Sequence, residues 1–226
     1  MGHQRPLPEG ISKAIRYDFS TDHNWSARHL AKVAVELEKA GDTSKEPYQN
    51  HRACVVGSVM ATVAFLESTI NELFSDCEAK VWVHQEREIS QVDRDALGQI
   101  WSREIRLLST LRKYDLALAV LRYPSFDRSV DPYSSIKTLI SLRNKLVHFE
   151  PEWIPLARSD GKPLQQNQLH PLEQSLAPRF ACNALADSKW SFWPERCLGA
   201  GCASWAINSA EAFVTEFIRI LTAPAT

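Results

Sequence analysis

What this sequence lacks narrows it quickly. It has no charge of one sign to spare: 26 Lys and Arg stand against 27 Asp and Glu, a formal net charge of −1. No global basic field therefore draws it to nucleic acid or to an anionic membrane, and any nucleic-acid contact has to be a local patch. It has no long hydrophobic run. The longest, residues 53–66, is interrupted by Gly57, Ser58 and Thr62 and ends at Glu67. That is too short and too polar for a membrane span, and suits a buried core helix. No apolar segment that would act as a secretory leader stands in the first 25 residues. The five cysteines (Cys54, Cys77, Cys182, Cys197 and Cys202) form no CxxC pair. Free thiols in a reducing cytoplasm are the expectation. Cys182, Cys197 and Cys202 with His170 lack the spacing of a zinc site, so neither a metal nor a cofactor is expected. Gly199-Ala-Gly201 is without the lysine or third glycine of a phosphate-binding loop, and H-E-x-x-H, G-x-S-x-G and EF-hand patterns are absent.

What is present describes an ordinary globular chain, 44% hydrophobic and 23% charged over 226 residues. Strand-like runs are few and short, so the expected fold is an all-α helical bundle. Residues 1–25 read as an irregular N-terminal arm and 26–226 as one helical domain. Ser26 is the expected N-cap of a helix over 27–40, closed by Gly41. A polar connector over 42–50 leads to the most apolar helix, 51–79, where Gly57, Ala61, Ala64 and Ser68 offer a small-residue face. A charged stretch, 86–94, precedes one long helix or two over 95–121. Tyr123-Pro124 and Asp131-Pro132 bracket a turn before a helix over 134–150. The Pro- and Trp-containing segment 151–199, with Trp153, Trp190 and Trp193, is long for a connection and is expected to pack as a lid or carry function. A final helix over 200–222 has well-spaced apolar residues from Ala203 to Leu221.

The segment 136–151 holds the one constellation with a chemical rationale. At 100° per residue, Ile136, Leu139, Ile140, Leu146 and Val147 form an apolar stripe with Arg143 near its middle. Asn144 and His148, four apart, share a face at its edge. A guanidinium in such a stripe is costly to bury unpaired. On the plainer reading Arg143 pairs with a buried acid and His148 caps the helix end. Glu67 and Asn71, also four apart, bear on this choice: Glu67 is either an exposed or structurally paired carboxylate, or one directed at Arg143. On the sharper reading the three polar residues are a site for phosphodiester cleavage. A histidine side chain, with an ordinary pKa of about 6.5, exchanges protons near neutrality. Arginine meets the charge growing on phosphorus, and Asn144 orients the phosphate or the imidazole. The 2′-hydroxyl of RNA is its own nucleophile, so the chemistry needs no metal. Five residues of helix set Arg143 and His148 about 140° apart, so one helix does not close the site. Two copies about a twofold axis would, which predicts a homodimer.

Arg143-Asn144-x-x-x-His148, late on an amphipathic helix, resembles the R-x4-6-H motif of the HEPN superfamily. Residues 65–73, with Glu67 and Asn71, are similar to the first long core helix of bacterial HEPN-like proteins. The resemblance covers roughly residues 50–150, with the last helix completing the bundle. It implies a dimeric, metal-independent endoribonuclease of toxin–antitoxin, defence or stress systems, leaving 2′,3′-cyclic phosphate and 5′-hydroxyl ends, with an antitoxin protein as a further partner. Arg143 would stabilise the phosphate, His148 would be general base or acid, and Asn144 would support them. The alternative within the same superfamily is a non-catalytic binding or scaffold module recognising a nucleotide, RNA or a partner protein.

Overall fold

A computed structural model describes residues 17–80, 89–151, 170–186 and 193–222. Among these the chain is all-α, without a strand, as the sequence predicts. The elements are α1 (Ser20–Ala40), α2 (Lys45–Ala79), α3 (Gln91–Ile100), α4 (Arg103–Arg106), α5 (Thr110–Val120), α6 (Tyr133–Val147), α7 (Pro171–Leu176), α8 (Trp193–Cys197) and α9 (Ala200–Leu221).

The axis of the fold is α2, 35 residues long. Val55, Val59, Leu66, Ile70 and Phe74 along it are wholly buried. Among the described residues it is the one helix long and apolar enough to cross a bilayer, and half of its most apolar window is buried inside the protein. Helices α1 and α9 pack on it and on each other. The close approach of α1 comes from its own alanines: Ala27, Ala31 and Ala34, spaced four and three apart, are buried. Ser58 donates its hydroxyl to the Ala27 carbonyl at 2.9 Å. Gly57 belongs to the same contact, since a Cβ there would meet Leu30 Cδ1 at 3.0 Å. At the other end of the core, Tyr114 of α5 meets Phe213 and Phe217 of α9 edge-on, at centroid distances of 4.9 and 4.7 Å.

Several expected boundaries move, each because a tertiary partner replaces a local signal. Helix α1 begins at Ser20, so residues 20–25 are helical rather than arm, and Ser26 lies inside the helix. Its first amides are capped from α2: Glu72 Oε1 accepts the N–H groups of Phe19 (2.9 Å) and Ser20 (2.8 Å). Helix α2 starts at Lys45 behind Ser44 and takes in two thirds of the expected connector. Pro47 sits in its first turn, where a missing N–H costs nothing. Ser90, inside the expected charged stretch, is an N-cap whose Oγ accepts the Asp93 N–H at 3.1 Å, so α3 begins at Gln91 and takes in residues 91–94. Residues 95–121 are divided among three helices, since the chain turns to stack Trp101 on Phe74 at 5.1 Å. Helix α6 stops at Val147, three residues short of the expected end. Within 151–199 the described part contains α7 and α8, while Trp153 and Trp190 lie outside the described residues. Helix α9 begins where the spacing of its apolar residues places it.

Candidate functional site

Helix α6 is held at its N-terminal end by polar contacts and along its length by the core. Asp131 Oδ1 accepts the Ser135 N–H (3.0 Å) and hydroxyl (2.7 Å). Arg179 donates to Ser135 Oγ at 2.6 Å and Ser134 Oγ at 3.3 Å. Ile136, Leu139 and Leu142 are fully buried, and Leu146 is partly buried. Leu142, missing from the stripe read in the sequence, shifts the centre of the buried face. Arg143 therefore lies on its flank, half-buried, beside the 51% exposed Val147. Asn144 and His148 stand on the opposite, exposed face. His148 is also the C-cap, its backbone N–H donating to the Asn144 carbonyl at 2.8 Å. The structure brings Asn144 and His148 together on one face and leaves Arg143 around the helix from them.

Glu67 does not face Arg143, which corrects the sharper reading of that carboxylate. It faces Lys113 of α5, whose side chain is 1% exposed. The Lys113 ammonium donates to Glu67 Oε1 and to Asn71 Oδ1, the latter at 2.9 Å. The Thr110 hydroxyl donates to Glu67 Oε2. Glu67 and Asn71 thus belong to one polar cluster between α2 and α5, with every charge answered. Lys113 was missed because the stretch 95–121 reads as apolar contacts. A signal was there: Thr110, Lys113, Tyr114 and Ala117 are buried at i, i+3, i+4 and i+7, so lysine occupies a core-facing register.

With Glu67 committed elsewhere, Arg143 is short of partners. Its Nε is buried without a hydrogen-bond partner. No ion pair among the described residues involves it. A buried guanidinium nitrogen left in this state costs on the order of 1–3 kcal/mol, a cost that an incoming phosphate or carboxylate would offset.

Among the described residues no other cluster competes for the chemistry, and no group of His, Cys, Asp and Glu among them could hold a metal. Burial pushes the Cys197 thiol up to about 12, and raises that of Cys202 as well. A pocket of about 300 Å³ lies at the far end of α6, lined by Phe126, Val130, Pro132 and Ile220 among others. It is roughly 20 Å from His148 by the rise of a 15-residue helix.

One buried histidine has a structural task. His51 of α2 is wholly buried, with Nε2 at 3.0 Å from Glu38 Oε1, which also accepts the Ala200 N–H at 2.6 Å. Its Nδ1 is buried without a partner. The imidazole is therefore neutral with its hydrogen on Nε2, and burial lowers its pKa against the opposing pull of Glu38. Arg52, paired with Glu195 at 2.8 Å, adds to the lowering. Below about pH 6.5 the unfolded chain binds the proton and the folded one resists it. The stability His51 contributes is present above that pH and is lost as pH falls through the folded value. The buried carboxyls Glu173 and Glu195, raised by burial, act in the opposite sense. Urea denaturation from pH 7.5 to 5.5 should therefore show a larger loss for wild type than for His51→Gln, which keeps both carboxyls. Parallel pH profiles would refute this.

The fold and site define an all-α protein with an exposed Asn/His pair and an under-partnered arginine at the end of one helix. No family model matches the chain, and neither a curated protein nor a solved structure matches it significantly.

Proposed function

We propose that α6 carries an RNA-cleavage site of the HEPN kind, completed by a second copy of the chain. The observation that carries this reading is the state of Arg143: a guanidinium with a buried, unsatisfied Nε and no ion-pair partner among the described residues, on the same helix end as exposed Asn144 and His148 but around the axis from them. The rival in which Arg143 is a structural partner of Glu67 loses its acid to Lys113.

Ile140, Arg143 and Val147 share the flank that a twofold mate would cover. In the shared cleft one His148 imidazole takes the proton of the 2′-hydroxyl. The 2′-oxygen attacks phosphorus, and the imidazolium of the other copy returns a proton to the departing 5′-oxygen. Arg143 receives the non-bridging oxygens as their charge grows, and Asn144 holds the phosphate in register. Cytoplasmic defence or stress RNA cleavage, restrained by an antitoxin protein, is the setting that fits such a site.

The test is incubation of the purified protein with a mixed RNA pool in EDTA, followed by end-group analysis and sizing of the protein in solution. The expected products carry 2′,3′-cyclic phosphate and 5′-hydroxyl ends, and come from a dimer. Binding of RNA without cleavage would replace the enzyme with a binding module.

A further inference from the structure

In a chain of net charge −1, α6 has Lys137, Arg143 and Lys145 and not one Asp or Glu between Tyr133 and Val147. The rest of its surface is ordered as well. Lys137, Ser141, Asn144 and His148 are exposed and are spaced by four, three and four residues. At the helical period they fall within about 60° of one another, a single strip running about 16 Å along the axis. No ion pair among the described residues involves Lys137. Where the strip ends, Phe149 is 44% exposed, with the Lys145 ammonium 5.9 Å from its ring centroid. The strip is distinct from the Ile140, Arg143 and Val147 flank, so pairing of two copies through that flank leaves Lys137 and Ser141 open while Asn144 and His148 border the shared cleft.

A strip with a lysine, hydroxyl and amide donors and no acid along the helix, ending at an aromatic ring with Lys145 over it and Glu150 beyond, is complementary to a polyanion that also carries flat rings. A base reaches an exposed ring only when unstacked from its own helix, which selects single strands over duplexes. We propose that single-stranded RNA lies along this strip, with Lys137 and Ser141 holding phosphates beyond the cleaved linkage and Phe149 stacking a base beside it. The inference rests on the RNA-cleavage reading of Arg143, Asn144 and His148, and assigns that site its substrate path.

Steady-state cleavage of a labelled single-stranded RNA separates the two ideas. For Lys137→Gln the expected change is a rise in KM of about 3- to 10-fold, falling on KM rather than kcat, with the salt dependence of binding weakened by about one unit of slope. Phe149→Ala should raise KM by about 5- to 100-fold, the worth of one stacked base. Both side chains are exposed, and circular dichroism verifies that the variants fold. Wild-type cleavage with KM and salt slope unchanged in both variants overturns the strip and leaves the catalytic reading standing. Equal affinity for a duplex of the same sequence overturns the single-strand assignment. If wild type neither binds nor cleaves RNA while an acidic protein binds in a Lys137-dependent way, the RNA path and the reading beneath it both fall.

Discussion

Replacing His148 with alanine should lower RNA cleavage by about 10²- to 10⁴-fold, the usual worth of a positioned proton donor or acceptor, without unfolding the protein. The structural half of this expectation follows from exposure. His148 lies outside the core, and its one hydrogen bond among the described residues is from its backbone N–H to the Asn144 carbonyl, which alanine retains. Stability and dimerisation should therefore be unchanged while the proton transfers are lost. Arg143→Lys is the companion variant. It keeps a positive charge but gives up the planar fork that meets two phosphate oxygens at once, so cleavage should fall by about 10-fold or more with the fold intact. Cleavage by folded His148→Ala at the wild-type rate, read by single-turnover gel assay, would remove this histidine from the chemistry.

The parts of the protein that were legible in the sequence are those written in periodicity. Helix α9 follows from the spacing of Ala203, Ala206, Ala210, Phe213 and Phe217, which line one buried face. That Asn144 and His148 share a face follows from their four-residue spacing; that this face is exposed, opposite the core rather than at the edge of the apolar stripe, does not. What the sequence concealed was set by partners distant along the chain. Glu72 caps a helix 52 residues away, which is why α1 starts before its local signal. Lys113 reads as solvent-facing until its register beside Tyr114 and Ala117 is noticed, and its acid stands 46 residues earlier. Leu142 is wholly buried and draws the centre of the buried face away from Arg143. In each case the information is a tertiary contact, which periodicity encodes only through which face a residue occupies.

Removal of Glu67 should be strongly destabilising, and it also tests the assignment of Arg143. Glu67→Ala leaves the Lys113 ammonium, 1% exposed, beside a single amide oxygen. Breaking a buried ion pair from one side costs about 3–5 kcal/mol. The Glu67 side chain is 36% exposed, which brings the expectation to the low end, about 2–3 kcal/mol. Lys113→Met should cost less, about 1 kcal/mol, because the freed carboxylate can turn toward water while the methionine fills the space of the lysine stem. If the two act as one unit, the Glu67→Ala/Lys113→Met double variant should be more stable than Glu67→Ala alone, a coupling that urea denaturation followed at 222 nm resolves. Arg143→Ala should remain within about 1 kcal/mol of wild type, the loss of a half-buried stem and no ion pair. That contrast discriminates the two uses of an arginine in an apolar helix. A structural arginine is stabilising and its removal exposes an orphaned acid, whereas a binding arginine is held ready at a cost in stability and its removal is nearly silent. An Arg143→Ala loss equal to that of Glu67→Ala would return Arg143 to the scaffold and withdraw the cation on which the cleavage chemistry depends.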